Sequence, residues 1–101
     1  MVFDKYFFKR RMEIDSSLYE KLQELSNVYE ASINKLVNVA IIEMIETNNV
    51  NLYDRAEGEI LESHNFNIRE GVYRELERLS DKHRLSIYKI VNITIHNAIN
   101  S

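Results

Sequence analysis

The chain of 101 residues contains no cysteine and no proline. The first absence excludes disulfides and thiolate metal sites, and it makes the cytoplasm the simplest compartment. Glycine is limited to Gly58 and Gly71, so Gly-rich loops that cradle phosphates or dinucleotides are excluded as well. No apolar run approaches the roughly 18 residues of a membrane span. The opening MVFDKYFFKRRM sets aromatic residues before basic ones, the reverse of a signal peptide. His64, His83 and His96 share no metal-ligand spacing. No metal, no small-molecule cofactor and no membrane partner are therefore expected. An enzyme is not expected either, because no pair of titratable groups is duplicated or set in a plausible pocket.

What is present fits one small domain, or two very small units sharing a core. The chain is 45% hydrophobic and 29% charged, as in an ordinary globular protein. A net charge of −3 argues against a nucleic-acid partner, but its distribution softens that argument. Residues 1–47 carry six Lys/Arg against eight Asp/Glu, residues 48–62 carry one against four, and residues 63–101 carry six against four. The last part is mildly basic.

A shift of 54 places sets residues 12–45 on residues 66–99 without a gap. Identical pairs include Ile14/Ile68, Tyr19/Tyr73, Leu22/Leu76, Leu25/Leu79, Ser26/Ser80, Ser32/Ser86 and Lys35/Lys89. Val37/Val91, Asn38/Asn92, Ile41/Ile95 and Ile45/Ile99 continue the register. Such self-similarity marks a repeated structural unit. The chain divides accordingly into an N-terminal arm and first repeat (1–47), a linker (48–62) and a second repeat (63–101).

Each repeat opens with a short alternating strand, about 11–15 and 65–69. Alternation means one buried face, so Phe66 and Ile68 point inward while Asn65, Asn67 and Arg69 point outward. A first helix follows, with apolar Leu18, Leu22, Leu25 and Val28 matched by Val72, Leu76 and Leu79. Ser16 or Ser17 is placed to cap it, with Glu20 at capping-box spacing. After a break at VYEAS and KHRLS, Ser32 and Ser86 read as N-caps of a second helix. That helix is rich in apolar residues, Leu36, Val37, Ala40, Ile41, Met44 and Ile45 matched by Ile90, Val91, Thr94, Ile95, Ala98 and Ile99. The recurring Asn38 and Asn92 read as a polar pair that fixes register between the units.

One such unit cannot bury its apolar faces alone, and its single strand has unpaired edges. Two copies solve both problems if the strands pair antiparallel with the four helices beneath them. The expected fold is mainly α with a short two-stranded antiparallel ribbon. The linker of about 15 residues can span roughly 50 Å, so pairing within one chain is feasible. Leu52, Ala56 and Ile60, spaced by four, suggest that part of the linker is helical.

Strand, helix and Ser-capped helix resemble the ribbon-helix-helix family of DNA-binding proteins, the Arc/MetJ/CopG type. NFNIR in the second repeat is close to the strand of the Arc repressor, and two units in one chain resemble the TraY-type plasmid proteins. The resemblance covers nearly everything except residues 1–8 and the linker. It implies two ribbon-helix-helix repeats in an intramolecular pseudo-dimer that inserts its ribbon into the DNA major groove. It implies that Asn65, Asn67 and Arg69 face bases, with Arg11 and Glu13 as their counterparts. It also implies that the helix starts Ser32-Ile33-Asn34 and Ser86-Ile87-Tyr88 present amides to phosphates. Lys35 and Lys89 lie in the first turns of those helices, and Lys9 and Arg10 lie beside the first strand, where phosphate contact is expected. General physics agrees: a ribbon fits the major groove, Asn pairs with adenine and Arg with guanine, and helix N-termini bind anions.

The first repeat departs from this pattern. Glu13 can accept from cytosine but repels phosphate. Asp15 replaces the position matched by Arg69 and is expected to help cap the first helix. The first repeat is expected to read DNA less well, or not at all. Against the functional reading stands a plain solvated strand face. The aromatic arm Phe3, Tyr6, Phe7 and Phe8 reads as a core or interface flap.

Two classes of function follow. In one, the chain is a sequence-specific double-stranded DNA-binding protein, a transcriptional repressor or plasmid accessory factor, associated with the prokaryotic nucleoid or a plasmid and self-associating on tandem sites. In the other, it is a protein-interaction module, antitoxin-like or an assembly protein, with a decayed DNA-binding face. Antitoxins of this fold carry a C-terminal segment that wraps the toxin, and such a tail is not expected here because the sequence stops at Ser101, directly after the second helix. The acidic balance and Glu13 favour the second class, whereas NFNIR and the basic last part favour the first.

Overall fold

The computed structural model of the chain describes residues 7–48, 50–54 and 57–100. Six elements follow one another: β1 (Phe7–Asp15), α1 (Ser16–Tyr29), α2 (Ile33–Thr47), β2 (Leu61–Arg69), α3 (Glu70–His83) and α4 (Ile87–Ile99). The fold is mainly helical, and among the described residues the sheet is an antiparallel β1–β2 pair. The strands of one chain pair with each other. Each covers nine residues, several more than their alternation predicts.

Register is set by burial. Met12 and Ile14 of β1 and Phe66 and Ile68 of β2 are buried, and all four face the helices. Sliding one strand by a single residue would turn its apolar pair into water, at about 1.5–3 kcal/mol for each large side chain. Helices α2 and α4 supply Val37, Ile41, Met44, Ile90, Val91 and Ile95 to the same core. From α1 come Leu18 and Leu22, and from α3 Val72, Leu76 and Leu79. The expected stripe of α1 is therefore too long. Leu25 is half-buried and Val28 is 71% exposed. In α4, Ile93 is buried without having been expected there, while Ala98 lies exposed.

The breaks after α1 and α3 need no glycine. Glu30 and Arg84 take left-handed backbone (φ 51° and 55°) at the helix ends. Each corner is tied by a serine one turn back. Ser26 accepts from the Ala31 amide and donates its hydroxyl to the Ala31 carbonyl, and Ser80 does the same with Leu85. These bonds offset the roughly 1–2 kcal/mol that left-handed geometry costs an L-residue. Downstream, Ser32 and Ser86 are the N-caps expected of them, accepting from the Lys35 and Lys89 amides at 3.1 and 3.4 Å.

The first helix is capped differently from expectation. Asp15 occupies the N-cap position of α1 but makes no side-chain cap bond. Its carboxylate accepts from the Tyr53 hydroxyl instead, at 2.5 Å. The cap comes from the linker: the Glu59 carboxylate accepts from the Ser17 amide at 2.8 Å and from the hydroxyls of Ser16 and Ser17. The Ile60 carbonyl takes the Ser16 amide at 2.8 Å. The described part of the linker is not helical. Leu52 and Ile60 are 69% and 66% exposed, and Ala56 lies outside the described residues. The chain turns instead at Gly58, whose φ of 82° suits glycine, although a Cβ there would meet open space. Among the described residues no helix is long and apolar enough to cross a membrane.

Candidate functional site

An exposed row of side chains runs along the face of the ribbon that turns away from the core. Alternation puts Lys9, Arg11 and Glu13 of β1 on it, and Ser63, Asn65, Asn67 and Arg69 of β2; all are exposed. The antiparallel register sets Lys9 opposite Asn67, Arg11 opposite Asn65 and Glu13 opposite Ser63. Directly opposed side chains in such a pair lie about 4.5–5.5 Å apart, so the row is one continuous surface. Ser63 was not singled out from the sequence, because the strand was expected to begin only at about residue 65. Arg10 falls on the other face, with its guanidinium 5.0 Å from the centre of the Tyr73 ring.

Two buried asparagines hold the ribbon's outer edges. Asn38 of α2 donates to the Asn67 carbonyl at 2.9 Å and to Asn34 one turn back, and it accepts from the Arg69 amide at 3.2 Å. Asn92 of α4 donates to the Glu13 carbonyl at 2.9 Å and to Tyr88, and it accepts from the Asp15 amide at 2.9 Å. Asn34 adds a bond from its side chain to the Asn67 amide at 3.0 Å. Asn38 and Asn92 therefore do not form the polar pair expected of them; each grips the edge of a strand. A two-stranded ribbon leaves backbone groups unpaired on both outer edges, and these amides satisfy them at the residues whose side chains face out.

The N-termini of α2 and α4 lie beside opposite ends of the ribbon. Ser32, Asn34 and Lys35 line a groove of about 480 Å³ together with Asn67 and Arg69. At the other end, Tyr88, Lys89 and Ile93 line a smaller pocket of about 110 Å³ with Asp15. There Leu52, Tyr53 and Leu61 complete the lining. The Tyr53 ring stacks on His96, with centroids 4.0 Å apart.

Of the cations of the last part of the chain, Arg69 lies on the ribbon and Lys89 beside it, whereas Arg74 and Arg78 lie along α3. Arg74 pairs with Glu77 at 3.0 Å and Arg78 with Glu75 at 2.8 Å along α3. These two pairs leave the excess of positive charge in residues 63–101 unchanged. The ribbon's own cations, Lys9, Arg11 and Arg69, come from both strands. Phe3 and Tyr6 lie outside the described residues, as do the side chains of Phe7 and Phe8. His64 stacks flat on Tyr19 with centroids 3.5 Å apart. No protein-family model, curated protein or solved structure matches the chain.

Proposed function

We propose that the chain is a sequence-specific double-stranded DNA-binding protein of the ribbon-helix-helix type, acting as a transcriptional repressor or plasmid accessory factor. The observation that carries this reading is the outward face of the ribbon. It places two amides and three cations in one row, on a strand pair whose inner face is buried and whose edges are fixed by Asn38 and Asn92. A two-stranded ribbon of this width enters the major groove. Arg11 and Arg69 can pair with guanine, Asn65 and Asn67 with adenine, and Glu13 with cytosine. Ser32, Ile33, Asn34 and Lys35 at one helix start, and Ser86, Ile87, Tyr88 and Lys89 at the other, are the corresponding candidates for phosphate contact.

In this reading the chain is an internal pseudo-dimer of two repeats. The offset of 54 carries Arg11 onto Asn65, and these same two residues oppose one another in the ribbon. It also carries each bond of Asn38 onto the matching bond of Asn92. Both relations are what a local twofold through the Arg11–Asn65 pair requires.

The protein-interaction reading draws on different surfaces. Val28 and Tyr29 at the end of α1 are 71% and 68% exposed. One experiment separates the two. The purified chain is titrated into a pool of random duplexes at several salt concentrations, and retarded DNA is sequenced. Enrichment of a defined sequence, with affinity falling as salt rises, supports DNA reading. Retention of no duplex even in dilute salt would leave the interaction module.

A further inference from the structure

We infer that the linker closes one half of the reading surface, so that the chain grips a DNA half-site from one end of its ribbon. The inference rests on the DNA-binding reading and adds to it which half of the ribbon does the work.

The ribbon's two ends differ in charge. Antiparallel pairing brings the start of β1 beside the end of β2, so Lys9, Asn67 and Arg69 share one end, with Arg11 opposite Asn65 at the centre. Glu13 sits opposite Ser63 at the other end, where Asp15 and Leu61 follow as the last pair. Glu59 adds a further carboxylate there, bound at the start of α1, whereas Glu62, opposite Ile14, belongs to the ribbon's other face. A duplex, with a negative charge about every 1.7 Å of axis, is drawn to the first end and repelled from the second.

The grooves differ in the same sense. Beside the basic end the groove at Asn34 and Lys35 is open, and Val39 on its wall is 51% exposed. Beside the acidic end the corresponding wall residue, Ile93, is 1% exposed, and Leu52, Tyr53 and Leu61 share the pocket with it. The linker is secured in that position at several points. Tyr53 bonds Asp15 and stacks on His96, while Glu59 and Ile60 bond the first residues of α1. A phosphate approaching Lys89 on that side also meets Leu52, Tyr53 and Leu61 and the Glu13 carboxylate. The partner surface is therefore a segment on one side of the Arg11–Asn65 pair, about half of a 10–10.5 bp helical turn.

The absence of cysteine makes the test direct. Val39→Cys and Leu52→Cys, both at exposed positions, each give the full chain a single thiol to carry an iron chelate that cuts nearby DNA. On the duplex enriched from the random pool, the chelate at residue 39 is expected to cleave within the protected segment. The chelate at residue 52 is expected to leave the duplex uncut. Lys35→Ala should also flatten the plot of log K against log salt by about one unit of slope, as the loss of one phosphate contact does. Cleavage of comparable strength from both thiols, on opposite sides of one footprint, would overturn one-sided binding while keeping DNA recognition. A chain that retards no duplex and cuts from neither thiol would overturn DNA recognition and this inference together.

Discussion

Asn67 gives its side chain to solvent and its backbone to the fold. Its amide and carbonyl are bonded by Asn34 and Asn38, and both bonds survive truncation of the side chain. Asn67→Ala is thus expected to leave the melting temperature unchanged while costing roughly 1–3 kcal/mol of specific DNA binding and relaxing preference at one base pair. Glu13 is placed in the same way, with its carbonyl bonded by Asn92 and its side chain exposed. Glu13→Ala should cost little, or tighten non-specific binding by removing a repelled charge. Equal losses from the two substitutions in a titration would contradict the asymmetric face. Asn38 shows the opposite division, because its side chain belongs to the fold. Asn38→Ala leaves the Arg69 amide and the Asn67 carbonyl without this partner. A stability loss of about 1–3 kcal/mol is expected in denaturant titration, and a native-like midpoint would remove Asn38 from its assigned role.

At the scale of elements, the helix starts divide into two kinds. Helices α2 and α4 carry their own serine caps, Ser32 and Ser86, so their beginnings are a local property of the chain. Helix α1 instead borrows the Glu59 carboxylate from 42 residues away, which makes its first turn dependent on the linker. A carboxylate at a helix N-terminus also meets the positive end of the dipole. Glu59→Ala is expected to cost about 1 kcal/mol and to speed amide exchange in the first turn of α1 and in the linker together. Faster exchange in only one of the two would show that they are not coupled. Helix α3, with Glu70 in its first turn and Lys82 and His83 in its last, has its dipole complemented by its own residues.

For the whole molecule, the pairing of β1 with β2 completes the sheet within one chain. Folding is accordingly expected to be cooperative and independent of protein concentration, with a monomeric mass in sedimentation. A midpoint that rose with concentration in the micromolar range would mean that strands exchange between chains. On DNA, contact with roughly 4 to 6 phosphates predicts a slope of log K against log salt of about −4 to −5. A binding constant indifferent to salt would sink the DNA reading despite any enriched sequence.

The sequence alone determined whatever depends on near neighbours along the chain. Alternation put Phe66 and Ile68 inside and Asn65, Asn67 and Arg69 outside, because successive strand residues must point to opposite faces. Spacing by three and four found the helices, and Ser32 and Ser86 marked where two of them start, since a cap acts within one turn. Tertiary structure decided what depends on distant partners. Residues 7–10 and 61–64 have no clean alternation and become strand only by pairing, which brought Lys9 and Ser63 onto the outward face. Val28 has helical spacing yet stays in water, because a stripe is buried only as far as a neighbour extends. Asn38 and Asn92 went to the strand edges rather than to each other, since the ribbon's unpaired backbone groups offered bonds within reach. The linker took up its course past α4 and the start of α1 because Tyr53 and Glu59 found partners there, in His96, Asp15, Ser16 and Ser17, that no spacing within 48–62 encodes.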